Sequence, residues 1–332
     1  MNRPLLAFVV VVAVIAAGCG GASDETGGAA TPAGSGSGGS LSLVAYSTPQ
    51  VVYDEIIPDF AATPAGKDIT IKTSYGASGE QSRAVEAGLP ADVVTLSTEP
   101  DVTRLVKAGL VADTWKSAPH AGLVTTSVVA FIVRKGNPKG IASWDDLLKP
   151  GIEVVTPNPF TSGAAKWNLL GAYAHGGLPF VQKLIKEHVK VQPKSGREAL
   201  QTFTGGKGDV LISYEYEATT AQKKDQSVDY VIPPDTVKID IDIAKTVSAP
   251  AAAQAFIDYV LGDAAQQRFA DWGYRPVNET VLAANQAKFP TPKTLKTIDD
   301  LGGWTKLNDE LFDPEKGSVA KIEADAGVST VK

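Results

Sequence analysis

From Leu41 onward, runs that read as strands alternate with runs whose apolar residues recur at helical spacing. Leu41–Tyr46, Asp68–Ser74 and Asp92–Leu96 read as strands; Val51–Ala61 (interrupted by Pro58), Gly79–Ala87 and Pro100–Ala108 read as helices. Helical crossovers are what parallel neighbours require, so this rhythm predicts an α/β fold with a largely parallel sheet. A second set follows a strong strand at Ser127–Val133 and a loop at 134–139. It holds a helix near Trp144–Leu148, a strand at Ile152–Thr156, helices at Ala164–Ala174, Pro179–His188 and Arg197–Phe203, and a strand at Asp209–Ser213. Val237–Ile243 alternates and reads as a half-exposed strand. Beyond Ala249 the pattern is mostly helical, over Ala249–Leu261, Ala264–Trp272, Glu279–Lys288 and a shorter stretch after Trp304.

Within this frame stand three Ser-Gly steps, Ser78-Gly79, Ser162-Gly163 and Ser195-Gly196, each leading into a predicted helix. Serine offers a hydroxyl, glycine lets backbone approach closely, and the free N–H groups of a helix start attract an anion. Three such ends meeting at one point would hold a small tetrahedral oxyanion without any basic side chain. Two of the steps belong to an internal echo. Gly79 precedes Asp92, and Gly196 precedes Asp209, by the same 13 residues, as in a two-lobed binding protein that repeats one topology.

The chain of 332 residues is long enough for one large or two medium domains, and its 43% hydrophobic content allows a sizeable core. A formal charge of −6 argues against nucleic-acid partners. At the start, Arg3 precedes an apolar run from Leu5 to Ala17, then Ala16-Ala17-Gly18-Cys19. That reads as a secretory signal over 1–18, cut before Cys19, and the run is short for a membrane span. Cys19 is the chain's single cysteine, so no internal disulfide is available to it. The motif resembles a lipobox, which would make Cys19 the lipid-bearing terminus of a lipoprotein on the outer face of the cell membrane. Residues 20–40 are rich in Gly and Ser and would form a flexible tether spanning roughly 25 Å.

The folded part resembles the sulfate/thiosulfate-binding proteins of ABC importers. The resemblance rests on YGASGEQ (75–81), ADVVTLSTEPDV (91–102), the long run 133–170, GKGDVLISYEYEA (206–218), GYRPVNETV (273–281) and GGW (302–304). Its most specific part is the stretch from Asn158 to Asn168. It implies a type II periplasmic-binding-protein fold, with two α/β lobes joined by a two-stranded hinge and the ligand in the cleft. Lobe one would comprise 41–125 plus 246–332, and lobe two 126–245. It implies sulfate or thiosulfate as ligand, an ABC permease and its cytoplasmic ATPase as partners, a monomeric chain, and no cofactor or metal.

The resemblance places the sulfate donors at Ser47, Ser78, Ser162, Gly163, Ala164, Gly196 and Tyr214. Ser78 and Ser162 are expected to give hydroxyls, and Gly163 and Gly196 backbone N–H groups. Ser47 stands where the family has an aspartate, Ala164 where it has a glycine and Gly196 where it has an alanine; a backbone donor survives such changes if φ and ψ are kept. Tyr214 replaces a tryptophan. A phenol accepts as well as donates, whereas an indole only donates, so Tyr214 is expected either to weaken rejection of protonated phosphate or simply to reach the same oxygen. Ser195 is expected to cap its helix and Arg197 to support the site from behind. Lys166 reads as solvated, Trp167 and Trp304 as core, and Glu215 and Glu217 as exposed. Molybdate or tungstate is the alternative ligand. A serine hydrolase is the alternative of another class, resting on Ser318 and Lys321 in an S-x-x-K that lacks its usual companions. His120, His175 and His188 show no metal spacing.

Overall fold

The structure is a computed structural model that describes residues 39–330. Cys19, the signal run and most of the tether lie outside the described residues, and with them the expected cleavage and lipid attachment.

The first set of elements is β1 (Gly39–Tyr46), α1 (Gln50–Ala61), β2 (Ile69–Gly76), α2 (Ser78–Glu86), β3 (Val93–Leu96) and α3 (Glu99–Lys107). β1 is central and parallel to both neighbours, running with β2 from Gly39↔Ile69 to Tyr46↔Gly76 without a slip. After the long strand β4 (Leu123–Arg134) the pattern returns as β5 (Val154–Val155), α4 (Gly163–Lys183), β6 (Val189–Val191), α5 (Gly196–Thr204), β7 (Val210–Tyr214) and α6 (Glu215–Lys223). Here β5 is central and parallel to β6 and β7. The two triples thus share one strand order, the echo seen in the sequence extended to whole strands.

β8 (Val228–Val231) and β9 (Asp235–Lys245) follow, and the sheet path is β2-β1-β3-β9-β4-β7-β5-β6. β4 pairs antiparallel with β9 from Leu123 to Val128, then with β7 and β8 from Val129 on. β9 also pairs antiparallel with β3. The expectation of a largely parallel sheet therefore holds inside each triple and fails between them, where two long antiparallel strands make the connection. The rest is α7 (Ala251–Leu261), α8 (Asp263–Asp271), β10 (Arg275–Pro276), α9 (Glu279–Ala284), β11 (Thr294–Lys296), α10 (Trp304–Leu307) and α11 (Ser318–Asp325). The last of these packs beside the second triple, where Gln192 Nε2 donates to Glu323 Oε1 at 2.8 Å.

Several local expectations gave way to packing. α1 runs unbroken through Pro58 because Val52, Tyr53, Ile56 and Phe60 bury one face. The two helices expected over 164–188 are one helix, kinked at Gly177 (φ 67°) just before Pro179, with a wide turn at Leu184–His188. The Val237–Ile243 stretch is interior rather than half-exposed, since β9 lies between β3 and β4, and Asp242 is buried there. α6 escaped notice because its buried face includes Glu215 and Glu217, which hydrophobic periodicity does not register.

The triples are also packed alike. Val85, Val102 and Leu105 from α2 and α3 cover Val44, Val94 and Leu96 of the first. Ala199, Leu200, Phe203, Ala218 and Ala221 from α5 and α6 cover Val155 and Leu211 of the second.

Candidate functional site

In both triples the helices begin just past the carboxyl ends of the parallel strands, the usual place for a ligand in such sheets. The helix starts of opposite triples meet there. Gly79 N–H of α2 donates to Thr161 C=O, just ahead of α4, at 3.2 Å. A Cβ on Gly163 would fall 2.1 Å from Ser97 Oγ, 3.0 Å from Thr98 Cγ2 and 3.4 Å from Ser78 Cβ, so a larger residue at the start of α4 would have to displace the Ser97 hydroxyl. A Cβ on Gly196 would lie 3.1 Å from Thr48 Cγ2 and 3.5 Å from Ala164 Cβ, which a small shift of Thr48 relieves. Ser78, Ser162, Gly163, Ala164, Ser195, Gly196 and Tyr214 are all buried, and Ser47 is half-buried. The structure therefore brings all seven expected donors to one region.

The three Ser-Gly steps perform different tasks. Ser78 is the first residue of α2, and its hydroxyl is committed: Oγ donates to Asp101 Oδ2 at 2.6 Å and accepts Ser97 N–H at 3.0 Å. What Ser78 leaves for a ligand is its backbone N–H, one of the first-turn groups with no intrahelical acceptor. Ser162 stands at the N-cap of α4 yet makes no side-chain capping bond. Ser195 caps α5 through Oγ, which accepts Glu198 N–H at 3.2 Å.

Arg197 fastens the second triple to the first. Its guanidinium donates to Thr48 C=O, and its N–H donates to Ser47 Oγ at 3.4 Å. Behind it lies Glu217 Oε1, at 3.7 Å. Glu217 and Glu215 are buried, contrary to the exposed positions expected of them. The sequence showed two carboxylates in a polar run, and only the fold supplies their partners. Glu215 takes Arg275 with both oxygens, at 2.7 and 3.1 Å. Burial raises the Glu217 carboxyl above its ordinary pKa, and Arg197 opposes that rise. For Arg197 burial pulls downward, but Glu217 and the nearby phenols outweigh it and hold the guanidinium charged.

Lys166 is likewise buried, not solvated: it is in the first turns of α4, with Nζ 3.4 Å from Asn308 Oδ1 and 5.6 Å from the Phe312 ring centre. Burial lowers its pKa, with Asp101 pulling the other way. Trp167 and Trp304 meet edge to face at 4.9 Å in the core, as expected. The Trp167 indole N–H also reaches Ser97 C=O and ties α4 to the end of β3.

Tyr214 closes β7 and is fully buried, edge-on to Tyr46 at 6.4 Å. Burial raises its pKa well above the usual phenol value, Tyr46 adds to the rise, and the Ser97 hydroxyl opposes it. The phenol thus keeps its proton at neutral pH and is able to donate.

Sequence reasoning missed Thr48, Ser97 and Asp101. Thr48 Oγ1 pairs with Tyr216 Oη at 2.8 Å. Asp101 Oδ2 accepts from both Ser78 and Thr98. The signal for Ser97 was available in the echo: it lies five residues after Asp92, as Tyr214 does after Asp209. Among the described residues no group of acidic, histidine or cysteine side chains could hold a metal ion. Ser318 Oγ donates to Glu310 C=O at 2.9 Å. The arrangement suits a small, fully desolvated anion, since each helix start carries roughly +0.5 charge and nearby groups retain free donors.

The chain matches the model of the bacterial extracellular solute-binding proteins over residues 41–275. It is 40% identical to a sulfate-binding protein of Synechococcus elongatus, over 94% of this chain and 93% of that one. It is 34% identical to a thiosulfate-binding protein of Pseudomonas aeruginosa, over 81% of this chain and 88% of that one. Among solved structures it resembles the sulfate-binding protein SubI of Mycobacterium tuberculosis H37Rv, with 47% identity and a TM-score of 0.80 over 83% of this chain and all of that one. The fold is the type II periplasmic-binding-protein fold.

Proposed function

The chain belongs to the sulfate-binding proteins, a branch of the bacterial extracellular solute-binding family, and on that premise we propose that it captures sulfate outside the cell and delivers it to an ABC permease. It is a solute-binding protein, not an enzyme, which sets aside the hydrolase reading of Ser318. In this reading Cys19 carries the lipid that anchors it to the outer face of the membrane, and the 20–40 tether lets the folded part turn. The two triples with their helices form lobes that close on the anion, with β4 and β9 as the hinge. A cytoplasmic ATPase drives the permease.

One observation carries the reading: the starts of α2, α4 and α5, drawn from both triples, meet in a buried region. Three such ends offset most of a dianion, roughly +1.5 against −2. Ser162 gives its hydroxyl. Ser47, Ser78, Gly163, Ala164 and Gly196 give backbone N–H groups, and Tyr214 gives its phenol. Arg197 keeps the loop ahead of α1 in place. Sulfate carries no proton at neutral pH, so every contact is a donation to it.

Isothermal titration at neutral pH, on protein freed of bound anion, checks this. Sulfate is expected to release heat at one site per chain. Absence of heat with both sulfate and thiosulfate would overturn the reading. Thiosulfate is the second ligand to consider, because a relative of similar identity is named for it.

A further inference from the structure

Two hydroxyls in the buried region, Ser97 Oγ and Tyr214 Oη, neighbour each other, and neither has a hydrogen-bond partner of ordinary geometry. Ser97 is 1% exposed and Tyr214 not at all, so bulk solvent does not reach them. Leaving such a group unpaired costs about 1–3 kcal/mol, and a ligand among the helix starts would supply the missing partner. The two stand at matching places in the repeat, each five residues past its aspartate and at the carboxyl end of its triple's third strand.

Everything else about Ser97 is fixed. Its N–H bonds Ser78 Oγ and its C=O accepts the Trp167 indole N–H, so only the hydroxyl remains free to turn. That hydroxyl lies directly on Gly163, where a Cβ would be 2.1 Å away. The Tyr214 ring is similarly held, edge-on to Tyr46 and 5.1 Å from Tyr216.

We propose that Ser97 is a direct ligand of the anion and forms with Tyr214 a hydroxyl pair, one from each triple, that sets the selectivity of the site. This rests on the anion lying among the helix starts as above. The remaining donors of that site, apart from Ser162, are backbone N–H groups, which only donate. A hydroxyl donates or accepts by rotating. Toward sulfate both hydroxyls donate. Toward a tetrahedral anion that carries a proton, such as monohydrogen phosphate, one of them turns to accept that proton. A site with this pair therefore tolerates a protonated anion that a donor-only site rejects.

The test is titration of wild type, Ser97→Ala, Ser97→Cys and Tyr214→Phe with sulfate and with inorganic phosphate at neutral pH, with melting curves in the absence of anion. Ser97→Cys keeps the volume and gives up most of the donor strength. Both Ser97 variants are expected to melt near wild type and to bind sulfate at least about tenfold more weakly. Either variant combined with Tyr214→Phe is expected to lose phosphate by a larger factor than sulfate, because the pair's acceptors are removed or weakened. Wild-type sulfate affinity in the two Ser97 variants overturns the inference and leaves the proposed function standing. If wild type releases heat with thiosulfate, molybdate or phosphate but not with sulfate, the sulfate reading falls and the same comparison on that anion decides for Ser97. If no anion binds, both fall.

Discussion

In the first triple Asp92 accepts Ser42 N–H at 2.7 Å and returns its own N–H to Ser42 C=O at 2.8 Å; in the second, Asp209 does the same with Glu153, at 3.0 and 2.8 Å. The repeat thus extends to single contacts. The third helices then diverge. Asp101, third residue of α3, is held by two neutral hydroxyls, Ser78 and Thr98. Glu217, third residue of α6, accepts no hydrogen bond and faces the Arg197 guanidinium. The first triple satisfies its buried carboxylate locally. The second uses a cation that also reaches across to Thr48 of the other triple. One topology thus holds one carboxylate within its own half and the other through a cation that also bridges the halves, alongside the Gly79–Thr161 and Trp167–Ser97 contacts.

The largest test of that asymmetry compares Arg197→Ala with Ser78→Ala. Removing Arg197 leaves Glu217 buried without a counter-charge and frees the Thr48 loop; the expected loss is about 3–5 kcal/mol in urea unfolding. Ser78→Ala is expected to cost about 1–3 kcal/mol, since Thr98 still serves Asp101. Equal losses would show that the two halves hold their carboxylates equivalently. A second comparison sets Ser162→Ala against Ser195→Ala. The first is expected to weaken sulfate by about 1.5–3 kcal/mol with little change in melting. The second is expected to cost about 1 kcal/mol of stability and leave affinity alone, since Ser195 is a helix cap. Exchanged outcomes would reverse the roles of the two steps. The smallest effect is steric. Gly163→Ala drives a methyl onto Ser97 and is expected to weaken binding by about 1–3 kcal/mol, whereas Gly196→Ala meets only the movable Thr48 methyl and should change little. Titration of both reports whether the α4 start is indeed the tighter of the two.

Much of this was legible in the chain. Strand-helix alternation announced both triples, and the 13-residue echo marked the matching helices, because periodicity and spacing are local properties that survive in one dimension. Ser78, Ser162 and Gly196 were marked by dipeptide type and resemblance alone. Burial of charge was not legible. Lys166, Glu215 and Glu217 look like solvated surface, and their partners Asn308, Arg275 and Arg197 lie 142, 60 and 20 residues away.

The sequence by itself determined the alternation, the repeat and the kind of donor at each helix start. Tertiary structure decided how each donor is used. Ser78, Ser162 and Ser195 are the same residue before the same glycine, yet one hydroxyl binds a carboxylate, one makes no capping bond and one caps its own helix. The physical reason is that a buried hydroxyl goes to whichever acceptor or donor packing brings within about 3 Å, and that neighbour comes from a distant part of the chain.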